Sequence, residues 1–184
     1  MDLEEIKLIV KRRLSEKRFY HSMCVMDMCE KLSRIYYVDT QKAKLVGLTH
    51  DIAKEMPKAE MFDYVKNNHI EISDIEKKCP GLLHSKIGAD MVKKQFNFSS
   101  DMVNAIRNHT TGAKNMDMLS KILYMADWIG LDRKFDDTDF LRNLAFKDIN
   151  SAIIYAINQT IKEKINKNEL LHIDSILARN SLLK

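Results

Sequence analysis

Residues 118–130 read MLSKILYMADWIG, a strongly apolar run with one carboxylate, Asp127, a helical turn beyond Leu123 and on the same face. Capped by Asp117, it predicts a helix whose acid points inward with the core residues, where a charge without a cationic partner is costly. The flanking stretches repeat the helical period. Before it, Ser99 or Ser100 caps a helix with Met102, Val103 and Ile106 that ends at Gly112, and LLHSKIGADMVKKQF at 82–96 forms another after the Pro80-Gly81 turn. Further out lies a helix over 2–14, then one over 17–36 with a stripe through Val25, Met28 or Cys29, Leu32 and Tyr36. A third, capped by Asp39 or Thr40, carries Ala43, Val46, Ile52 and Ala53 inward and stops before Pro57, which starts a shorter fourth around Met61, Phe62 and Val65. After Gly130, a polar loop over 131–138 precedes a long helix near 149–165 and a short one that includes 173–178.

The composition agrees with this all-α pattern. A chain of 184 residues is long enough for one sizeable core and short for two. With 45% hydrophobic and 30% charged residues and only 5 Gly and 2 Pro, it is rich in helix formers, so a single-domain helical bundle over residues 1–184 is expected. The net charge of +4 is modest, and the basic clusters Lys11-Arg12-Arg13, Lys77-Lys78 and Lys93-Lys94 have acidic neighbours and no interleaved aromatics; no nucleic-acid partner is expected. The opening MDLEEIKLIV is acidic, and the longest uncharged run, 149–161, is too short for a bilayer, so neither export nor a membrane role is expected. Three cysteines, Cys24, Cys29 and Cys79, match no zinc spacing and are odd in number, which fits a reducing cytoplasm.

The chemistry lies in the histidines. His21, His50, His84 and His109 sit near helix ends with apolar residues at helical spacing: His50 follows Val46 by four positions and His109 follows Ile106 by three. Alone, such a histidine is ordinarily a hydrogen-bonded core residue, and an inward aspartate an ion-pair member or cap. Together with Asp51 and Asp127, on five helices of one small domain, they would make a costly polar knot unless something charged sat at the centre. Imidazole and carboxylate suit divalent iron, manganese, cobalt, nickel or zinc. Adjacent helical residues point about 100° apart, so His50 and Asp51 can grip one ion near its edge, or Asp51 can bridge two. Six protein ligands on one ion leave no room for substrate, whereas two ions sharing Asp51 leave open positions and a hydroxide able to attack phosphorus. His69 and His172 read as surface or capping residues, and Trp128 as core.

The order His21, His50-Asp51, Asp127 resembles the H…HD…D signature of HD-domain metal-dependent phosphohydrolases. The segments RFYHS, GLTHDIAKE, LLHSKIGA, AIRNHTTG, KILYMADWI and LARN, spread over 17–181, are similar to the successive motifs of the YqeK group within that superfamily, which cleaves diadenosine tetraphosphate symmetrically to two ADP. The resemblance implies a single HD-domain bundle with two divalent transition-metal ions, iron first among the candidates. His21, His50, Asp51 and Asp127 would hold one ion, and His84 and His109, with Asp51 bridging, the second. Catalytic roles then fall to Asp51, Lys54 and Arg133, and contacts to substrate phosphate or nucleotide to Lys54, Arg107, Thr110, Thr111, Gly112 and Arg133. Lys54 could equally be a surface lysine, and Gly112 a simple helix stop. Where the family has a Glu-Pro-Gly-Arg type of loop, this chain reads GLDRKF around Arg133. The implied partner is a dinucleoside polyphosphate or other nucleotide, with a homodimer compatible. The alternatives are another HD-type nucleotide phosphohydrolase, or a scaffold or nucleotide-binding domain that keeps a metal for folding alone.

Overall fold

The computed structural model describes residues 1–183. Among them it has eleven α-helices and no strand: α1 Leu3–Arg13, α2 Glu16–Ile35, α3 Thr40–Thr49, α4 Lys58–Asn67, α5 Asp74–Lys78, α6 Leu83–Phe96, α7 Ser100–Asn108, α8 Met118–Ile129, α9 Thr138–Lys147, α10 Ile149–Asn166 and α11 Ile173–Leu182. A single 3₁₀ turn, Pro80–Leu82, leads into α6.

Helix α8 is the hub. Leu119, Ile122, Leu123, Met125 and Ile129 are buried, so the helix is apolar nearly all round, and it packs against α2, α3, α7, α9 and α10. Each such buried leucine or isoleucine contributes roughly 1.5–3 kcal/mol of transfer free energy. Helices α2 and α3 meet at Gly47, where a Cβ would lie 2.8 Å from the Met26 backbone; only glycine allows the two axes so close. That crossing fixes where the residues of α2 stand against the end of α3. Ser15, the N-cap of α2, is bound through its amide and hydroxyl by the Glu55 carboxylate, at 2.6 and 2.7 Å, so the turn after α3 is tied to the start of α2.

Helix α3 ends at Thr49, short of the expected Ile52 and Ala53. Those residues are buried in a tighter turn held by Ile52 N–H to Thr49 O and Lys54 N–H to Asp51 O, bonds spanning three residues in place of four. On α4, Met61 and Val65 face the core while Phe62 is 36% exposed. Helices α5 and α9 lie where the sequence suggested none. Gly112 has φ +71°, and a Cβ there would meet Ala178 of α11 at 2.9 Å, so this glycine both ends the α7 segment and lets the turn dock.

Candidate metal centre

Four imidazoles form a row through successive edge-to-face contacts, with ring centroids of His21 and His50 at 5.4 Å, His50 and His109 at 5.0 Å, and His109 and His84 at 5.0 Å. All four are buried, as is Asp51 between them. Three are oriented by their own backbone. Nδ1 lies 2.8 Å from Gly47 O in His50, 2.5 Å from Gly81 O in His84 and 2.7 Å from Ile106 O in His109, each the carbonyl three residues earlier. A carbonyl only accepts, so Nδ1 carries the proton and Nε2 presents a lone pair to the centre, the form that ligates metals. His50 and His109 follow directly on the C-terminal ends of α3 and α7, where carbonyls lose their helical partners, and His84 follows the 3₁₀ turn that leads into α6. His21 lies inside α2, where the nearby carbonyls are spent on the helix. Its Nδ1–H donates instead to Asp132 Oδ2 at 2.7 Å, and Nε2 faces Asp127 Oδ1 at 3.0 Å.

The centre is electrostatically incomplete. Asp51 Oδ1 lies 3.2 Å from His84 Nε2 and 3.7 Å from His109 Nε2, Oδ2 lies 3.4 Å from His50 Nε2, and the His84 and His109 Nε2 atoms face each other at 3.1 Å. His50 Nε2 and Asp51 Oδ1 are buried with no hydrogen-bond partner. Burial pushes His84 down to about 4 against the pull of Asp51, so at neutral pH its inward nitrogen is unprotonated. Although burial opposes its charge, the Asp51 carboxyl stands well below the usual carboxylate range and is ionised at neutral pH. Asp127 is lowered likewise: burial is overcome by His21, His50 and Arg133. Side-chain donors reach only part of this set and leave His50 Nε2 and Asp51 Oδ1 without one, and the converging imidazole nitrogens and carboxylates suit a divalent transition metal. His21, His50 and Asp127 form one group able to hold an ion, and His50, Asp51 and His109 another.

The structure therefore brings His21, His50, Asp51, His84, His109 and Asp127 together. Lys54 reaches in, its Nζ 3.2 Å from His84 Nε2 and 3.8 Å from Asp51 Oδ1. Thr110 Oγ1 lies 3.3 and 3.2 Å from the Nε2 atoms of His84 and His109. Thr111 turns its hydroxyl to Gly112 O, and its carbonyl receives the Ser175 hydroxyl of α11. Arg133 clasps Asp127, with Nε on its carbonyl at 2.8 Å and a terminal nitrogen on Oδ1 at 2.5 Å. Arg107 is exposed and lines a separate hollow with Asp90, Lys93 and Asn104. Trp128 is only half-buried; it packs edge-on against Phe135 and lines a hollow of about 250 Å³ beside Asp127 and Arg133. His69 is exposed and His172 caps α11.

Two residues of the site were not anticipated. Asp132, in the segment expected to be a plain polar loop, orients His21. Arg18, one turn before His21, donates to Asp51 Oδ2 at 3.0 Å. No local pattern marks either; only the meeting of α2, the turn after α3 and the loop after α8 gives them partners.

This fold and histidine row define a class. The HD domain family model matches residues 18–131, and the chain belongs to the HD-domain family, whose members are metal-dependent. Among individual proteins, it is 33% identical to the Bacillus subtilis protein named bis(5'-nucleosyl)-tetraphosphatase, symmetrical, over 100% of this chain and 98% of that one. It is 36% identical to the protein of the same name from Halalkalibacterium halodurans, over 95% and 94% of the two chains. A crystal structure of a predicted HD superfamily hydrolase involved in NAD metabolism from Clostridium acetobutylicum superposes with a TM-score of 0.96 at 38% identity, covering 100% of this chain and 97% of that one. Among the described residues, no helix is long and apolar enough to cross a membrane.

Proposed function

We propose that this chain hydrolyses diadenosine tetraphosphate symmetrically to two ADP, using two divalent transition-metal ions, iron the first candidate, and that residues 1–184 work as one domain. The observation that carries the reading is Asp51: a buried carboxylate facing His50 through one oxygen and His84 and His109 through the other, with Oδ1 unpartnered. His21, His50, Asp127 and Asp51 would hold one ion, and His84 and His109 with Asp51 the second. Held there, such ions lower the pKa of a water and neutralise charge on phosphate oxygens. The names of the full-length relatives support the choice of substrate.

The remaining residues position and charge-balance the phosphates. Lys54 and Arg18 already contact the Asp51 carboxylate, so each can turn a cationic head to a phosphate oxygen beside it. Arg133 holds Asp127 and keeps further guanidinium donors for the departing ADP. Thr110 offers a hydroxyl next to His84 and His109. No side chain needs to form a covalent bond to phosphorus. Incubating purified protein with manganese or ferrous iron and diadenosine tetraphosphate, then resolving the products, tests this directly. ADP alone is expected, and AMP with ATP in equal amounts contradicts it.

A further inference from the structure

The acid that steers His21 is itself held by one oxygen. Asp132 Oδ2 accepts the His21 Nδ1–H at 2.7 Å, while Oδ1 is buried without a hydrogen-bond partner. With no donor on the second oxygen, the direction of the carboxylate follows from the backbone that carries it. That backbone is a tight turn off the end of α8, closed by the Arg133 amide donating to Gly130 O at 2.9 Å.

Two residues outside the ligand set shape this turn. From α9, Arg142 donates through Nε to Ile129 O at 3.0 Å and through one terminal nitrogen to Gly130 O at 2.8 Å and Arg133 O at 3.3 Å; its other terminal nitrogen rests on Asp139 at 3.0 Å. A guanidinium is a rigid planar fork, so the three carbonyls are fixed relative to one another and to α9. Gly130 supplies space. A Cβ there would lie 2.9 Å from Asp132 Oδ1, while the next atoms, Ala126 O and a Val25 methyl, stand back at 3.4 and 3.7 Å. Its φ of −49° is open to any residue, so what a side chain at 130 would disturb is the Asp132 carboxylate and not the backbone. The plainer role for Arg142 is a cap, since the last carbonyls of α8 lack helical partners and an arginine satisfies them. A cap stabilises the helix whatever stands at 132; a positioning role acts through the Asp132 carboxylate and vanishes without it.

We propose that Gly130 and Arg142 are positioning residues for the His21 end of the centre: the first clears room for the Asp132 carboxylate and the second clamps the turn that aims it at His21. The same clamp sets Arg133, whose guanidinium grips Asp127. The proposal rests on the metal reading above and is read as metal affinity, so it is decided apart from the choice of substrate; bound metal without hydrolysis of diadenosine tetraphosphate would discard the substrate and keep the coupling. Calorimetric titration of manganese compares Arg142→Met, which keeps the aliphatic stem and removes the donors, with Gly130→Ala, each alone and in the Asp132→Asn background. Each single variant is expected to weaken manganese binding about tenfold, as for the loss of a group that orients a ligand. Added to Asp132→Asn, each is expected to cost less than about twofold more, the mark of residues acting through one another. Gly130→Ala should also keep the metal-free melting temperature within about 2 °C of wild type, so it carries the test even where loss of the cap unfolds Arg142→Met. Unchanged affinity in Gly130→Ala, or losses that multiply in full with that of Asp132→Asn, would show that the turn merely caps α8 and would overturn the proposal.

Discussion

The two ends of the histidine row are built differently. At the His84 end, imidazoles are aimed by carbonyls three residues back in their own turns, so a local stretch of backbone sets both tautomer and direction. At the His21 end, the ring is aimed by a carboxylate 111 residues away in sequence, delivered by the loop after α8. His84 and His109 are oriented by the carbonyl three residues back, whereas His21, inside α2, takes its support from elsewhere in the fold. The first kind of support survives most side-chain changes; the second depends on one residue and on what holds its loop.

The largest effect should come from the residue common to both ends. Asp51→Asn is expected to lower turnover about a thousandfold or more, since several kcal/mol of transition-state stabilisation depend on the ions it joins. Bound metal by elemental analysis should drop with it while far-ultraviolet circular dichroism holds; a fully active variant would break the assignment of Asp51 to both ends. Chelation acts on the two ends together without mutation. Removing metal should end activity and lower the melting temperature by about 5–10 °C, as expected for losing a ligand present at about a hundred times its dissociation constant. Re-addition should restore both, and a melting curve indifferent to chelator would mean that no ion binds the folded state. Asp132→Asn tests the His21 end alone: activity and metal affinity should fall about 10- to 100-fold, the usual cost of losing an orienting partner. Equal activity in that variant would erase the distinction between the ends. Its counterpart is Gly81→Ala, which keeps the carbonyl that aims His84 and whose new methyl meets nothing within 4 Å. Stability there should stay within about 0.5 kcal/mol and turnover should match wild type, by thermal melt and initial rate.

Much of this was legible in the chain. The helical period of 118–130 placed Asp127 inward, and the spacings of His50 from Val46 and His109 from Ile106 put those imidazoles in the interior where the structure has them. Other features were hidden for physical reasons. Helix α5 is a five-residue turn held by a Ser73–Glu76 capping box, too short to show periodicity. Helix α9, with Leu141 and Ala145 buried, follows directly on a polar loop and stops one residue before α10, so its ends blur into its neighbours. The turn after Thr49 kept Ile52 and Ala53 buried without continuing α3 because its carbonyls were diverted to shorter bonds. Asp132 and Arg18 looked like any charged residues, since what distinguishes them is a partner brought by tertiary packing. The half-exposed Trp128 shows the converse: an aromatic at core-like spacing that lies at the rim.

Helix α9 also braces the centre from outside it. Arg142 reaches from it to the carbonyls of Ile129 at 3.0 Å, Gly130 at 2.8 Å and Arg133 at 3.3 Å, cinching the loop that presents Asp132. The segment shared with the wider family stops at residue 131. An excised 18–131 fragment would keep every imidazole of the row yet forfeit both the acid that steers His21 and the clamp behind it. A version trimmed to the family boundary would inherit the imidazoles of the row without the residues that aim His21.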